Sequence, residues 1–170
     1  MGDLLQIGEG FAGEGADAAH VNTVLGRRDG PVATAWTTAL ATPREGHVAF
    51  VAVVQPGLAV QPPTLFVNKA PLEHERHAQL TWGAAQAGVA AGVLDAVADG
   101  VIAAHEIGEL VLIAAVWVNP DALDGEAVYL NNRGATRTAL ECGEQGLPHI
   151  EQALAARGTP WNPYFELLRG

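Results

Sequence analysis

The sequence predicts a two-layer α/β sandwich, with helices packed on one sheet, and three observations lead there. Short β-type runs and longer helical stretches follow one another as strand, strand, helix, strand, strand, helix, strand, helix. A chain of 170 residues is long enough for one domain with a sizeable core. Apolar residues make up 49% but aromatics only 6%, so that core must be built from small aliphatic side chains. Strand order is not readable from periodicity.

Residues 3–11 carry Leu4, Leu5, Ile7 and Phe11 and read as the first strand. A Gly-rich turn, Gly13-Glu14-Gly15, feeds a second, alternating strand over residues 19–25, with His20 at its entrance. Gly26 to Gly30 is a turn by its Gly and Asp content. Pro31 suits the first position of a helix over residues 32–40, which stops before Pro43. Residues 48–54 are almost wholly apolar, as in a strand covered on both faces or lying at a subunit contact. Pro56-Gly57 and Pro62-Pro63 bracket an extended connector. Residues 64–68 form a strand that delivers Asn68 and Lys69 at its C-terminal end, where ligand-binding groups collect.

Residues 73–98 are helical, with a weak point near Gly83, and Gln86, Val93 and Val97 share one face. A glutamine on an apolar stripe must bond neighbouring backbone or face a cavity. Residues 110–118 read as a buried strand and residues 124–144 as a second long helix, with Gly134 as a weak point. From about residue 146 the chain is expected to be an irregular tail. Its segment Thr159 to Phe165, with two prolines and three aromatics, is expected to dock on another surface. The whole is one domain, residues 1–170.

Charge and cysteine content exclude several function classes. A net charge of −10 argues against nucleic acid and anionic membranes, both of which reward a basic patch. One cysteine, Cys142, allows no intrachain disulfide and fits a reducing compartment. No signal peptide is evident, and the apolar run 110–118 is too short to span a bilayer. The expected location is the cytoplasm.

Few residues suggest chemistry on their own. His20, held by a glycine turn at a strand entrance, suits acid–base work near neutrality, though a single strand histidine is more often a surface or locally satisfied residue than a catalytic one. His74 and His77 are three apart on a helix, but no third metal ligand is evident, and Glu73, Glu75 and Arg76 favour a solvated face. No phosphate loop or nucleophile motif occurs, and the sequence contains no serine.

Five segments, each weak alone, change this picture by their order and spacing. They are the glycine turn with Ala19-His20, Pro31-Val32-Ala33-Thr34-Ala35, Thr64-Leu65-Phe66-Val67-Asn68-Lys69, Ala85-Gln86-Ala87-Gly88-Val89-Ala90, and Leu94-Asp95-Ala96-Val97-Ala98-Asp99-Gly100. From about Gly8 to about Thr138 the chain resembles the formaldehyde-activating enzymes, which condense formaldehyde with tetrahydromethanopterin. The last thirty or so residues do not match. The resemblance implies a fold like the second domain of ribosomal protein S5, with a left-handed crossover, in a ring-shaped homopentamer with pterin in a cleft between subunits. It matches the family's catalytic histidine to His20, its cleft lysine to Lys69, its cleft glutamine to Gln86, and a pterin-contacting leucine to Val51. Three positions depart: Asn22 stands where the family has aspartate, Pro71 where it has threonine, and Ala87 where it has histidine. Asn22 and Pro71 are therefore expected at the pterin site with altered chemistry.

The implied reaction gives methylene-tetrahydromethanopterin, with His20 as general acid for loss of water. It involves formaldehyde and a reduced pterin as co-substrates, no metal, and no tightly bound cofactor. Lys69 is suited to a ligand oxygen and Gln86 to the pterin ring edge. The alternative reading is an oligomeric pterin- or carbonyl-binding module without fast turnover, or a paralogue acting on another amine and aldehyde.

Overall fold

The computed structural model describes residues 4–162 and 165–166. Its centre is a five-stranded mixed sheet in the order β1-β2-β7-β6-β3. Strands β1 (Leu5–Ala12), β2 (Ala19–Arg27), β6 (Thr64–Asn68) and β7 (Leu110–Trp117) are the long members, and β3 (Phe50–Val51) closes one edge. β6 and β7 run parallel, joined by the helical crossover between them, while the other neighbours are antiparallel.

Alternation sorts the side chains onto two faces. Ala19, Val21, Thr23 and Leu25 of β2 point to one face with Leu112, Ala114 and Val116 of β7, and all are buried. Helices α3 (Gln86–Ala98) and α4 (Gly125–Gln145) form the second layer over this face. Phe66 and Phe50 stack there at 5.0 Å between ring centres. Asp124 caps α4 by accepting from the backbone N–H groups of Glu126 and Ala127.

β1 is inverted relative to what its composition suggests. Its core-facing positions are Gly8 and Gly10, and its large residues Leu5, Ile7 and Phe11 are exposed on the other face. The reason is the approach of α4. A Cβ at Gly8 would stand 1.7 Å from the Ala139 carbonyl oxygen, and one at Gly10 would stand 2.0 Å from that of Ala135. Only glycine lets strand and helix come so close. On the opposite face, α1 (Pro31–Ala41) covers one end of the sheet, where Val32 lies against Gly26. The other end stays open.

Several expectations need correction. Residues 48–54 are not one covered strand. The run divides into β3 and β4 (Val53–Gln55), which pairs with β5 (Leu58–Ala59) in a separate ribbon, and Val48 and Val54 are exposed. Ala52 ties the two pieces to the sheet by donating to Thr64 O. The helix expected over residues 73–98 begins at Glu75 as α2 (Glu75–Gln79). Around Gly83 it widens into a π-helical segment, Leu80–Ala85, before α3, so the weak point bulges rather than breaks. The tail is not wholly irregular: Ile150–Ala156 is a short helix, α5. Residues 163–164 of the expected docking segment lie outside the described residues. Around them β8 (Trp161–Asn162) and β9 (Phe165–Glu166) pair antiparallel.

Glu73, His74, Glu75 and Arg76 do form an exposed face, as expected, but His77 is turned inward and buried. His74 Nδ1 accepts from the His77 N–H and its Nε2–H donates to Pro120 O. His77 is buried; its Nδ1 accepts from the Glu73 N–H and its Nε2–H donates to Val118 O. Together they clamp α2 to the segment leaving β7. Among the described residues no group of three or more His, Cys, Asp or Glu could hold a metal, and no helix is long and apolar enough to cross a membrane.

Candidate active site

The open end of the sheet face gathers polar groups from four strands. Cross-strand register sets Phe11, His20 and Trp117 side by side, and Glu9, Asn22 and Ala115 in the next row. Lys69 follows β6 at the position beside Trp117, its backbone N–H donating to Val116 O at 2.8 Å. Its side chain crosses β7 to reach β2. With Trp161 and Asn162 of the tail, these groups line a cavity of ≈ 800 Å³.

Lys69 Nζ donates to Asn22 Oδ1 at 2.7 Å and to His20 Nδ1 at 3.2 Å. On the other side of the ring, His20 Nε2 lies 3.0 Å from Glu9 Oε1. An ammonium has no lone pair to offer, so Nδ1 must be the acceptor and Nε2 carries the proton that meets Glu9. The imidazole of this arrangement is neutral. Burial pushes the His20 pKa below the ordinary value of 6.5, the Lys69 charge pushes it further down, and Glu9 opposes both. Burial also lowers the Lys69 pKa, again against the pull of Glu9. Two of the three ammonium protons are engaged, which leaves one for a ligand. The sequence holds no other lysine.

The strand entrance that carries His20 is anchored from the helix layer. Asp17 Oδ1 accepts from the backbone N–H groups of Leu123 and Asp124, and Asn131 Nδ2 donates to Asp17 O. Asn68 does the same for Lys69: buried, it donates through Nδ2 to Gly46 O and Ala70 O, both at 2.7 Å.

Of the six site residues expected from the sequence, three meet here: His20, Asn22 and Lys69. Val51, Pro71 and Gln86 do not line this cavity. Val51 pairs with Leu65 in β3, and Pro71 packs beside Gly46. Gln86 is buried and brackets one backbone unit, accepting from Val53 N–H at 2.9 Å and donating to Val53 O at 3.1 Å. That uses one of its two donors and part of its acceptor capacity. Sequence reading missed Glu9, Phe11, Trp117 and Trp161. Glu9 left a trace, as the only charge in the alternating row Leu5, Ile7, Glu9, Phe11, but its partner depended on strand register.

The chain is similar in sequence to several known proteins. The chain is 38% identical over 158 residues to the 5,6,7,8-tetrahydromethanopterin hydro-lyase of Methanosarcina barkeri, covering 93% of this chain and 89% of the relative. It is 35% identical over 159 residues to the bifunctional enzyme Fae/Hps of Archaeoglobus fulgidus, and 37% over 151 residues to that of Methanosarcina barkeri. The alignments cover 94% and 89% of this chain, but only 40% and 38% of those longer relatives. Residues 7–165 match the family model described as formaldehyde-activating enzyme (Fae), and the chain belongs to that family.

Proposed function

We propose that this chain is a hydro-lyase that joins formaldehyde to tetrahydromethanopterin, giving methylene-tetrahydromethanopterin and water. The observation that carries the reading is the contact of His20 with Lys69 on the open sheet face, at the positions matched to the family's histidine and lysine. A pterin amine adds to the aldehyde carbon, and the aldehyde oxygen becomes a hydroxyl. Loss of water is the harder step, because hydroxide leaves poorly. His20, as imidazolium, gives its proton to that hydroxyl while the C–O electron pair departs with oxygen. The second pterin nitrogen closes on the resulting iminium, and its released proton returns to the imidazole. Lys69 uses its remaining N–H to hold a ligand oxygen. Asn22 keeps Lys69 in place without adding negative charge.

Val51, Pro71 and Gln86 complete the pterin site in this reading, on the strength of the resemblance. Gln86 contributes the donor that Val53 does not use. Self-association, as a homopentamer, supplies the second wall of the cleft; the exposed Leu5, Ile7 and Phe11 support it. The fold is proposed to be that of ribosomal protein S5 domain 2, with its left-handed crossover, and the setting cytoplasmic. The pterin is a co-substrate, with no tightly bound cofactor. One observation favours the second reading, a binding module without fast turnover: Asn22 leaves His20 with Lys69 as its nearest cation and no carboxylate from β2. Purified protein with formaldehyde and tetrahydromethanopterin should form product well above the uncatalysed rate. Pterin binding at the uncatalysed rate would favour the binding module.

A further inference from the structure

The imidazole of His20 is held from both sides, and only one side has been given a task. Lys69 occupies Nδ1, while the carboxylate of Glu9 meets Nε2 at 3.0 Å from the neighbouring strand. Resting on the reading of His20 as the acid, we propose that Glu9 is the positioning residue of this site. Its carboxylate accepts Nε2–H, fixes the ring, and makes Nδ1 the nitrogen that takes up and delivers the catalytic proton.

Three observations bear on it. The register of β1 and β2 fixes the contact. Glu9 pairs directly with Asn22, and its side chain leans diagonally, two residues along β2, to His20. The contact also orients the ring. A neutral imidazole has one N–H, and a carboxylate can only accept, so Glu9 selects the tautomer whose Nδ1 is unprotonated and accepts from Lys69 at rest; the ammonium turns from Nδ1 to the ligand oxygen when that nitrogen takes up its proton. Finally, the contact supplies charge where the site lacks it. The titratable group facing His20 from β1 is Glu9, and that from the end of β6 is Lys69. Among the described residues, β7 adds Trp117 and the tail adds Trp161 and Asn162 to the lining, none of which titrates in the working range. With Asn22 neutral, Glu9 is the carboxylate that offsets Lys69 and lets the imidazolium form. When Nδ1–H gives its proton to the departing hydroxyl, the ring returns to the neutral form that Glu9 already holds. The proton released at ring closure restores Nδ1–H.

Glu9 is well exposed, so solvent weakens its field and the effect is smaller than for a buried triad. Glu9→Gln should lower kcat about tenfold and leave KM for the pterin within about twofold. Removing the charge also removes what holds the imidazolium, so the alkaline fall of the rate should move to lower pH. Glu9→Asp should recover part of both. In 15N spectra of the ring, assigned by loss of the signal in His20→Ala, His20 should be the Nε2–H tautomer in the parent protein and titrate at lower pH in Glu9→Gln. An unchanged rate, pH profile and ring titration would overturn the proposal. So would a loss of melting temperature with a risen KM and no pH shift, since that marks a merely structural contact. If the parent protein fails to exceed the uncatalysed rate, the hydro-lyase reading falls, while the ring titration still decides whether Glu9 sets the tautomer.

Discussion

At the scale of single residues, His20 is poised between two opposite influences. Burial and Lys69 lower its pKa and Glu9 raises it, with the lowering dominant. The acid form is therefore present below the pKa and lost above it. The kcat/KM of the free enzyme should fall as pH rises, with a midpoint below the ordinary imidazole value of 6.5. Lys69→Met removes a like charge, so the same limb should move to higher pH even as pterin binding weakens. A limb that stays in place would show that Lys69 does not set the His20 charge state. His20→Ala should reduce kcat about 10²-fold or more, with little change in pterin affinity. A mutant as fast as the parent would remove His20 from the chemistry. Asn22→Asp, by adding a carboxylate beside Lys69, should raise both pKa values, and its pH profile would show it.

At the scale of elements, the contact of β1 with α4 is the tightest constraint. Gly10→Ala drives a methyl into the Ala135 carbonyl, and such overpacking typically costs about 1–3 kcal/mol. Gly83→Ala is the matched control, since nothing stands within 4 Å of a Cβ there. Urea unfolding should separate the two by their midpoints at similar slopes; equal midpoints would mean the helix simply backs away. This contact also explains what the sequence hid. Periodicity located β1, β2, β6 and β7, because those runs carry a clear apolar pattern, whereas α4, with its poor and mixed apolar face, was readable more in extent than in orientation. It could not say that Leu5, Ile7 and Phe11 face away from the helices, since an alternating strand looks the same from either face. Gln86 shows the same limit. Its place on an apolar stripe was legible, but its partner, the Val53 backbone, belongs to a ribbon 33 residues earlier. His20, Asn22 and Lys69 were legible through the family resemblance, and Glu9 was not, because only strand register joins it to them.

At the scale of the whole molecule, the sheet has one dry face and one face half-covered by α1. Ile7 is 64% exposed in the isolated chain, beside Leu5 and Phe11. An apolar row of this kind supports the proposed self-association. Sedimentation of the parent protein should give a mass several times 17.7 kDa, and Ile7→Lys should reduce it. A compact monomer for the parent at micromolar concentration would refute the assembly.

The placing of His20 on β2 and of Lys69 directly after β6, with β7 between them, has a consequence for how the protein fails. His20 lies within a strand, and Lys69, just past the end of β6, is tied to β7 by its backbone N–H on Val116 O. The amides of β7 are paired on both sides and should be among the slowest to exchange with deuterium, opening only when the whole domain opens. Catalytic competence and global order should then be lost as a single event. With rising urea, activity and far-ultraviolet circular dichroism should trace one curve. Activity that vanished at lower urea would mean that the site, despite its four strands, comes apart before the sheet that carries it.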